Sequence, residues 1–312
     1  MIPGAVAVID VGSNSVKLLV ARRGREGRLE GLAVSTLDAR IGSGISAVSP
    51  RLGEEGMTRG SAAVATLYDD SRRFSPVQTI VVATSAVRDA ENGAEFGMRI
   101  LRTCGTPLRI LSGSEEAALI GLGLTCDPAL DGLLDFYVFD LGGGSLECLS
   151  FGNREIRQAL SLQLGCVRLT EMFVRDPSLP FTDASARAIS AHVRAELDRS
   201  GFQIHLPPPG ATVGTGGTVS TVRAMTAAAA GVPFDETDPI VRIGALRMLL
   251  ASVGALPLDS RRRLPGLPPE RADVFPAALA TLVALAETGG IAAFQNSVYN
   301  LRWGLAAEAL GA

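Results

Sequence analysis

The sequence predicts an α/β protein of two domains built on one plan, and three observations carry that reading. The chain has 312 residues, more than one core usually holds and enough for two. Short apolar runs alternate with helix-like stretches, the pattern of α/β folds. A frame of Asp-apolar-Gly-x-x-Ser occurs twice, at Asp10-Val11-Gly12-Ser13-Asn14-Ser15 and at Asp140-Leu141-Gly142-Gly143-Gly144-Ser145.

Taken in order, residues 6–9 form an apolar run, the first glycine loop follows, and residues 16–20 form a second run. An apolar run on either side of a glycine turn reads as a β-hairpin. The same arrangement returns at 136–139 and 146–151, around the second loop. Between the hairpins the sequence predicts helices over 57–74, 94–104 and 112–124 and strands over 78–83 and 108–111, with residues 84–88 leading out of the first strand. After the second hairpin it predicts helices over 164–175 and 183–199, a break at Pro207-Pro208-Pro209-Gly210 and a strand over 211–213. A third glycine loop, Gly214-Thr215-Gly216-Gly217-Thr218, then opens a helix through Thr226. The remainder reads as mainly helical, interrupted at 265–269. A domain boundary is expected near 122–133, in the proline- and glycine-bearing loop 126–132, giving domains of 1–125 and 126–297.

Composition removes several classes of function. The net charge of −3 argues against a broad nucleic-acid surface. No apolar run reaches the roughly 18 residues of a membrane span. The start Met1-Ile2-Pro3-Gly4 has no basic region or cleavage site, so a cytoplasmic protein is expected. Cys104, Cys126, Cys148 and Cys166 form no CxxC pair and read as buried free thiols. With only His192 and His205, neither a zinc site nor a Ser-His-Asp or Cys-His centre is credible; His192 reads as a partly exposed helix residue. Lys17, beside the first loop, is the only lysine.

The loops carry the chemistry. Gly12, Ser13, Asn14 and Ser15 offer backbone N–H groups and hydroxyls to an anion, and Gly142, Gly143, Gly144 and Ser145 repeat the offer. One such loop alone is equally an ordinary hairpin turn; two in one frame point to phosphate. Asp10 would repel phosphate and is suited to a metal ion or its water. Asp140 and Glu147 fall on adjoining strands of one hairpin, and two carboxylates suit Mg²⁺ or Mn²⁺, though Glu147 is also read as an exposed strand carboxylate. Gly214, Gly216, Gly217 and Thr218 precede a helix and make a third anion site.

Ser112 and Glu115 have capping-box spacing, which accounts for Glu115 and leaves Glu116 over. Glu116 is either a base for water or a helix-dipole carboxylate. Arg88, Arg271 and Arg302 are either phosphate clamps or surface charge.

Together these residues resemble the Ppx/GppA family of exopolyphosphatases and guanosine pentaphosphate phosphohydrolases, within the actin/hexokinase/Hsp70 superfamily. The resemblance runs in order through Ile9-Asp10-Val11-Gly12-Ser13-Asn14-Ser15, residues 83–90, Ser112-Gly113-Ser114-Glu115-Glu116-Ala117 and residues 140–147. It continues through Leu164-Gly165-Cys166-Val167-Arg168-Leu169-Thr170, residues 214–218, Arg271-Ala272-Asp273 and residues 300–305. It implies two ribonuclease-H-like domains with a cleft between them and a last helix, about 298–312, packed back on the first. It implies Glu116 as catalytic base, Asp140 and Glu147 at Mg²⁺, and Arg88 and the glycine loops on phosphate. It further implies polyphosphate or pppGpp as substrate and a homodimer. The chain stops where longer members add an HD-type domain, which implies the short form. Leu146, Ala118 and Ala277-Ala278 depart from the usual Thr, Arg and Gly; the first two remove possible contacts to a long phosphate chain. Two other classes remain open at this point. A sugar kinase or chaperone-type ATPase would need an adenosine pocket, and a non-catalytic polyphosphate or nucleotide sensor would bind without turnover.

Overall fold

The computed structural model describes residues 4–205 and 211–311; the break expected at 207–210 lies outside them. The chain divides into two compact units, Met1–Asp131 with Tyr299–Ala312, and Gly132–Val298.

The first unit begins with strands β1 (Val6–Val11), β2 (Ser15–Arg23) and β3 (Leu29–Asp38). Helix α1 (Glu54–Arg72), strand β4 (Gln78–Ala83), helices α2 (Ser85–Asp89) and α3 (Gly93–Cys104), strand β5 (Leu108–Ile110) and helix α4 (Gly113–Thr125) follow. The sheet order is β3-β2-β1-β4-β5. β1 to β3 form an antiparallel meander, whereas β4 and β5 run parallel to β1. Val6, Ala7, Val8 and Ile9 are all buried, so β1 is covered on both faces, which explains its unbroken apolar run.

The second unit opens with β6 (Phe136–Leu141), β7 (Leu146–Gly152) and β8 (Glu155–Leu162). There follow α5 (Cys166–Phe173), α6 (Asp183–Ser200), β9 (Ala211–Thr215), α7 (Gly216–Ala230), β10 (Ile240–Arg242), α8 (Ile243–Gly254), α9 (Leu258–Arg261), α10 (Phe275–Gly289) and β11 (Ala293–Asn296). Its sheet order is β10-β11-β9-β6-β7-β8. β8-β7-β6-β9-β11 repeats the first unit's 3-2-1-4-5 order with the same antiparallel meander and parallel continuation, and β10 adds an antiparallel edge. Both units are therefore ribonuclease-H-like. α10 is buried almost all round, and its run of small residues, Ala277, Ala278 and Ala280, lets it sit in the centre of the core.

Helix α11 (Leu301–Ala309) belongs to the first unit and packs on α4. A Cβ at Gly304 would collide with the Leu119 carbonyl, and one at Gly123 with the Asn300 carbonyl. Two glycines thus let these helices approach closer than side chains allow.

The structure amends several element expectations. β3 and β8 have no predicted counterpart, because each is a sheet edge whose polar residues break the apolar signal. β10 and β11 interrupt the region expected to be helical. α1 starts at Glu54 rather than 57, α5 covers only Cys166–Phe173, α7 runs on to Ala230, and residues 85–89 form a helix of their own. The four cysteines are free; Cys148 and Cys166 are buried, but Cys104 and Cys126 are only half-buried. Among the described residues, no helix is long and apolar enough to cross a membrane.

Candidate active site

The two glycine loops close in the same way. Pairing runs to Val11↔Val16 and to Leu141↔Leu146, and then Gly12 N–H donates to Ser15 O at 3.1 Å and Gly142 N–H to Ser145 O at 3.0 Å. The register that follows decides the electrostatics. Asp10 lies directly opposite Lys17, and Asp140 directly opposite Glu147. Residues opposite each other in an antiparallel pair project on one face with Cβ atoms about 5 Å apart. The same position of the repeat therefore carries a cation in the first unit and an anion in the second.

In the first unit, the segment after β3 supports the loop. Ala39 and Arg40 N–H donate to Asn14 O at 3.1 and 2.9 Å, and Gly42 N–H donates to Ser13 O at 2.8 Å. The Ser13 hydroxyl meets the Ser85 hydroxyl at 3.3 Å. Asp10 Oδ1 is buried without a hydrogen-bond partner. Burial pushes the Asp10 carboxyl above its usual range, and the charges of Lys17 and Arg302 oppose that rise. Arg302, on α11, donates from Nη1 to Leu18 O at 3.1 Å.

The capping box at α4 is formed. Glu115 N–H donates to Ser112 Oγ at 3.2 Å, and Ser112 N–H donates to Glu115 Oε2 at 2.8 Å. Those bonds, with Arg109, hold the exposed Glu115 carboxyl down at about 2. Glu116 is turned inward, only 6% exposed. Arg88 Nη1 donates to Glu116 Oε2 at 2.7 Å and to Leu111 O at 3.1 Å. Two residues predicted separately thus meet as a partly buried ion pair.

In the second unit Asp140 and Glu147 are both buried. Ser161, on β8, donates its hydroxyl to Glu147 Oε1 at 2.8 Å. Asp140 also lies beside Thr215 in the parallel pairing of β6 and β9, which brings the third glycine loop to it. Gly216 has φ +85°, and a Cβ there would collide with Asp140 Oδ1; one at Gly217 would collide with the Arg271 guanidinium. Arg271 Nη2 also reaches Thr218 Oγ1 at 3.4 Å. Asp140, Glu147, Gly216, Gly217, Thr218 and Arg271 form one cluster, with carboxylates on one side and a guanidinium and helix start on the other. Its paired carboxylates suit a hard divalent cation that takes one or two protein ligands. No group of three or more His, Cys, Asp or Glu converges as a metal site among the described residues. Asp10, for which the sequence also allows a metal role, lies opposite Lys17 in the first unit.

Three supporting residues carry no prediction. Asn296 Nδ2 donates to Gly214 O at 3.2 Å, Ser161 holds Glu147, and the buried Arg168 donates from Nε to Gly144 O at 3.0 Å. The signal for Arg168 was a charge inside the apolar stretch 164–170. Asn296 and Ser161 gave no local signal.

A model of the Ppx/GppA phosphatase family matches residues 19–311. The fold is similar to that of the Ppx/GppA enzyme of Aquifex aeolicus, with 25% identity, 98% of this chain and 99% of that chain covered, and a TM-score of 0.76. It is similar to an exopolyphosphatase-like protein at 26% identity, 98% and 97% coverage and a TM-score of 0.86. It is also similar to an exopolyphosphatase from Cytophaga hutchinsonii, at 21% identity, 98% coverage of each chain and a TM-score of 0.87.

Proposed function

Because the chain belongs to the Ppx/GppA phosphatase family and is a phosphoanhydride hydrolase, we propose that it releases orthophosphate from the end of inorganic polyphosphate, with Glu116 as the base. The carrying observation is the division of labour at the start of α4. Glu115 is spent on the helix cap, whereas Glu116 is buried and held by Arg88. In the reaction, Glu116 takes a proton from water as the water oxygen bonds to the terminal phosphorus. The bond from that phosphorus to the bridging oxygen breaks, and the shortened chain leaves with the electron pair. Arg88 orients the Glu116 carboxylate and carries positive charge for phosphate oxygens. Gly12, Ser13, Asn14, Ser15 and Lys17 supply donors and a cation in the first unit. Gly142, Gly143, Gly144, Ser145, Gly216, Gly217, Thr218 and Arg271 do so in the second.

Asp140 and Glu147 would hold Mg²⁺ or Mn²⁺, as their register and burial fit such an ion. When bound, it would neutralise charge on phosphate oxygens. Three phosphate-type loops favour a substrate with several phosphates in a row, and the 26%-identical relative described as exopolyphosphatase-like supports polyphosphate.

The test is phosphate release from tripolyphosphate, longer polyphosphate, pppGpp and ATP, with Mg²⁺ and with chelator. Glu116→Gln should lose about 10²- to 10⁴-fold in kcat, the usual worth of a general base, while binding substrate normally. Full activity in that variant would remove Glu116 from the mechanism. Faster release from pppGpp than from polyphosphate would reassign the substrate, and binding without turnover by the unmodified protein would make it a sensor.

A further inference from the structure

The second glycine loop is backed by the start of a helix and by one side chain. Cys166 N–H donates to Gly142 O at 3.0 Å, and Val167 and Arg168 N–H donate to Gly143 O at 2.8 and 3.3 Å. The opening N–H groups of α5, which an isolated helix leaves unsatisfied, are thus used to hold loop carbonyls. The next carbonyl, Gly144 O, is beyond their series and is taken instead by Arg168 Nε at 3.0 Å. Gly165 makes this contact possible, since a Cβ there would collide with the Gly143 and Gly144 backbone.

A trans peptide points its C=O and the following N–H in opposite directions. Fixing the carbonyls of Gly142, Gly143 and Gly144 toward α5 therefore turns the N–H groups of Gly143, Gly144 and Ser145 away from it. In the first unit, backbone N–H groups of the segment after β3 hold the Ser13 and Asn14 carbonyls. The third peptide of the second loop depends on one side chain.

We infer that Arg168 is a positioning residue for phosphate binding: its bond to Gly144 O sets the Ser145 N–H as a third donor of the second loop. Arg168 is only 8% exposed, so its charge-assisted bond is little weakened by water. This inference rests on the proposal that the second loop grips phosphate. It assigns Arg168 an effect on affinity, not on the bond-breaking step.

The experiment compares the intact protein with Arg168→Met and Arg168→Lys, using tripolyphosphate as probe. Calorimetric affinity, KM, kcat and the amide resonance of Ser145 in ligand-free protein are measured, with thermal melting as a check on folding. Arg168→Met should weaken binding and raise KM about tenfold, the usual worth of one charged hydrogen bond, with kcat within about threefold. The free Ser145 amide should shift, and Arg168→Lys, which retains a charged donor, should recover part of the loss. Unchanged affinity in a folded Arg168→Met protein would overturn the inference. Lost affinity with an unmoved Ser145 amide would also overturn it, by making Arg168 a direct ligand contact. If Arg168→Met fails to fold, the Arg168→Lys affinity and amide shift decide the same question. Failure of the unmodified protein to bind tripolyphosphate would instead refute the underlying reading of the loop.

Discussion

At the residue scale, position +7 after each loop aspartate matters most. Lys17 and Glu147 occupy the same place in the repeat, opposite Asp10 and Asp140. The spacing was legible in the sequence, since a hairpin closed by a short glycine loop fixes which residues face each other. The split of Glu115 from Glu116 was legible for the same reason, because a cap is a local event. What Arg88 touches was not legible, since Glu116 lies 28 positions away. The partners of Asn296 and Arg168 stayed hidden likewise, as each acts on a loop far off in sequence.

Asp10 yields a stability prediction. Burial raises its folded carboxyl above the ordinary value. The folded state therefore binds that proton more tightly than the unfolded state, and stability falls as pH rises through the raised value. Asp10→Asn should melt at a higher temperature than the unmodified protein at pH 7, with the gap closing toward pH 3, below the ordinary carboxylate range. Melting curves across that range provide the check, and an equal or lower melting temperature at pH 7 would contradict it. Such a trade is common where a functional group is kept at a cost to the fold.

At the scale of elements, the strands that announced themselves were those with an unbroken apolar run. β1, β4 and β6 read directly from apolar runs, whereas β3 and β8 sit at sheet edges with polar residues among their apolar ones. Helix ends shifted by a few residues, as frayed termini do. The packing of α4 on α11 was invisible, because it turns on Gly123 and Gly304 rather than on an apolar pattern. Gly304→Ala should place a methyl against the Leu119 carbonyl and cost about 3 kcal/mol, at the upper end for overpacking. Urea unfolding measures this; a loss under about 0.5 kcal/mol, the level of a neutral surface change, would mean the helices can part without penalty.

At the scale of the molecule, the two units differ in continuity. Gly132–Val298 is one uninterrupted stretch, whereas the other unit is assembled from Met1–Asp131 and Tyr299–Ala312. Residues 132–298 expressed alone should fold cooperatively, since their sheet and core are complete. Residues 1–131 alone should not, because α4 would lose the helix packed on it. Circular dichroism and thermal melting of the two fragments test this, with a cooperative transition in the 1–131 fragment as the contrary result. Adding a peptide of residues 299–312 should restore its structure.

That discontinuity also orders events on the ribosome. The residues up to Asp131 leave the exit tunnel before any part of α11 has been made, since Leu301 lies 170 residues further along the chain. At about 5–20 residues per second this is roughly ten to thirty seconds. Throughout that interval the face of α4 that α11 will cover has no partner from its own chain, while the stretch made later can already close its own core. The unit begun first is thus completed last, and nascent-chain chaperones would have that face of α4 to protect.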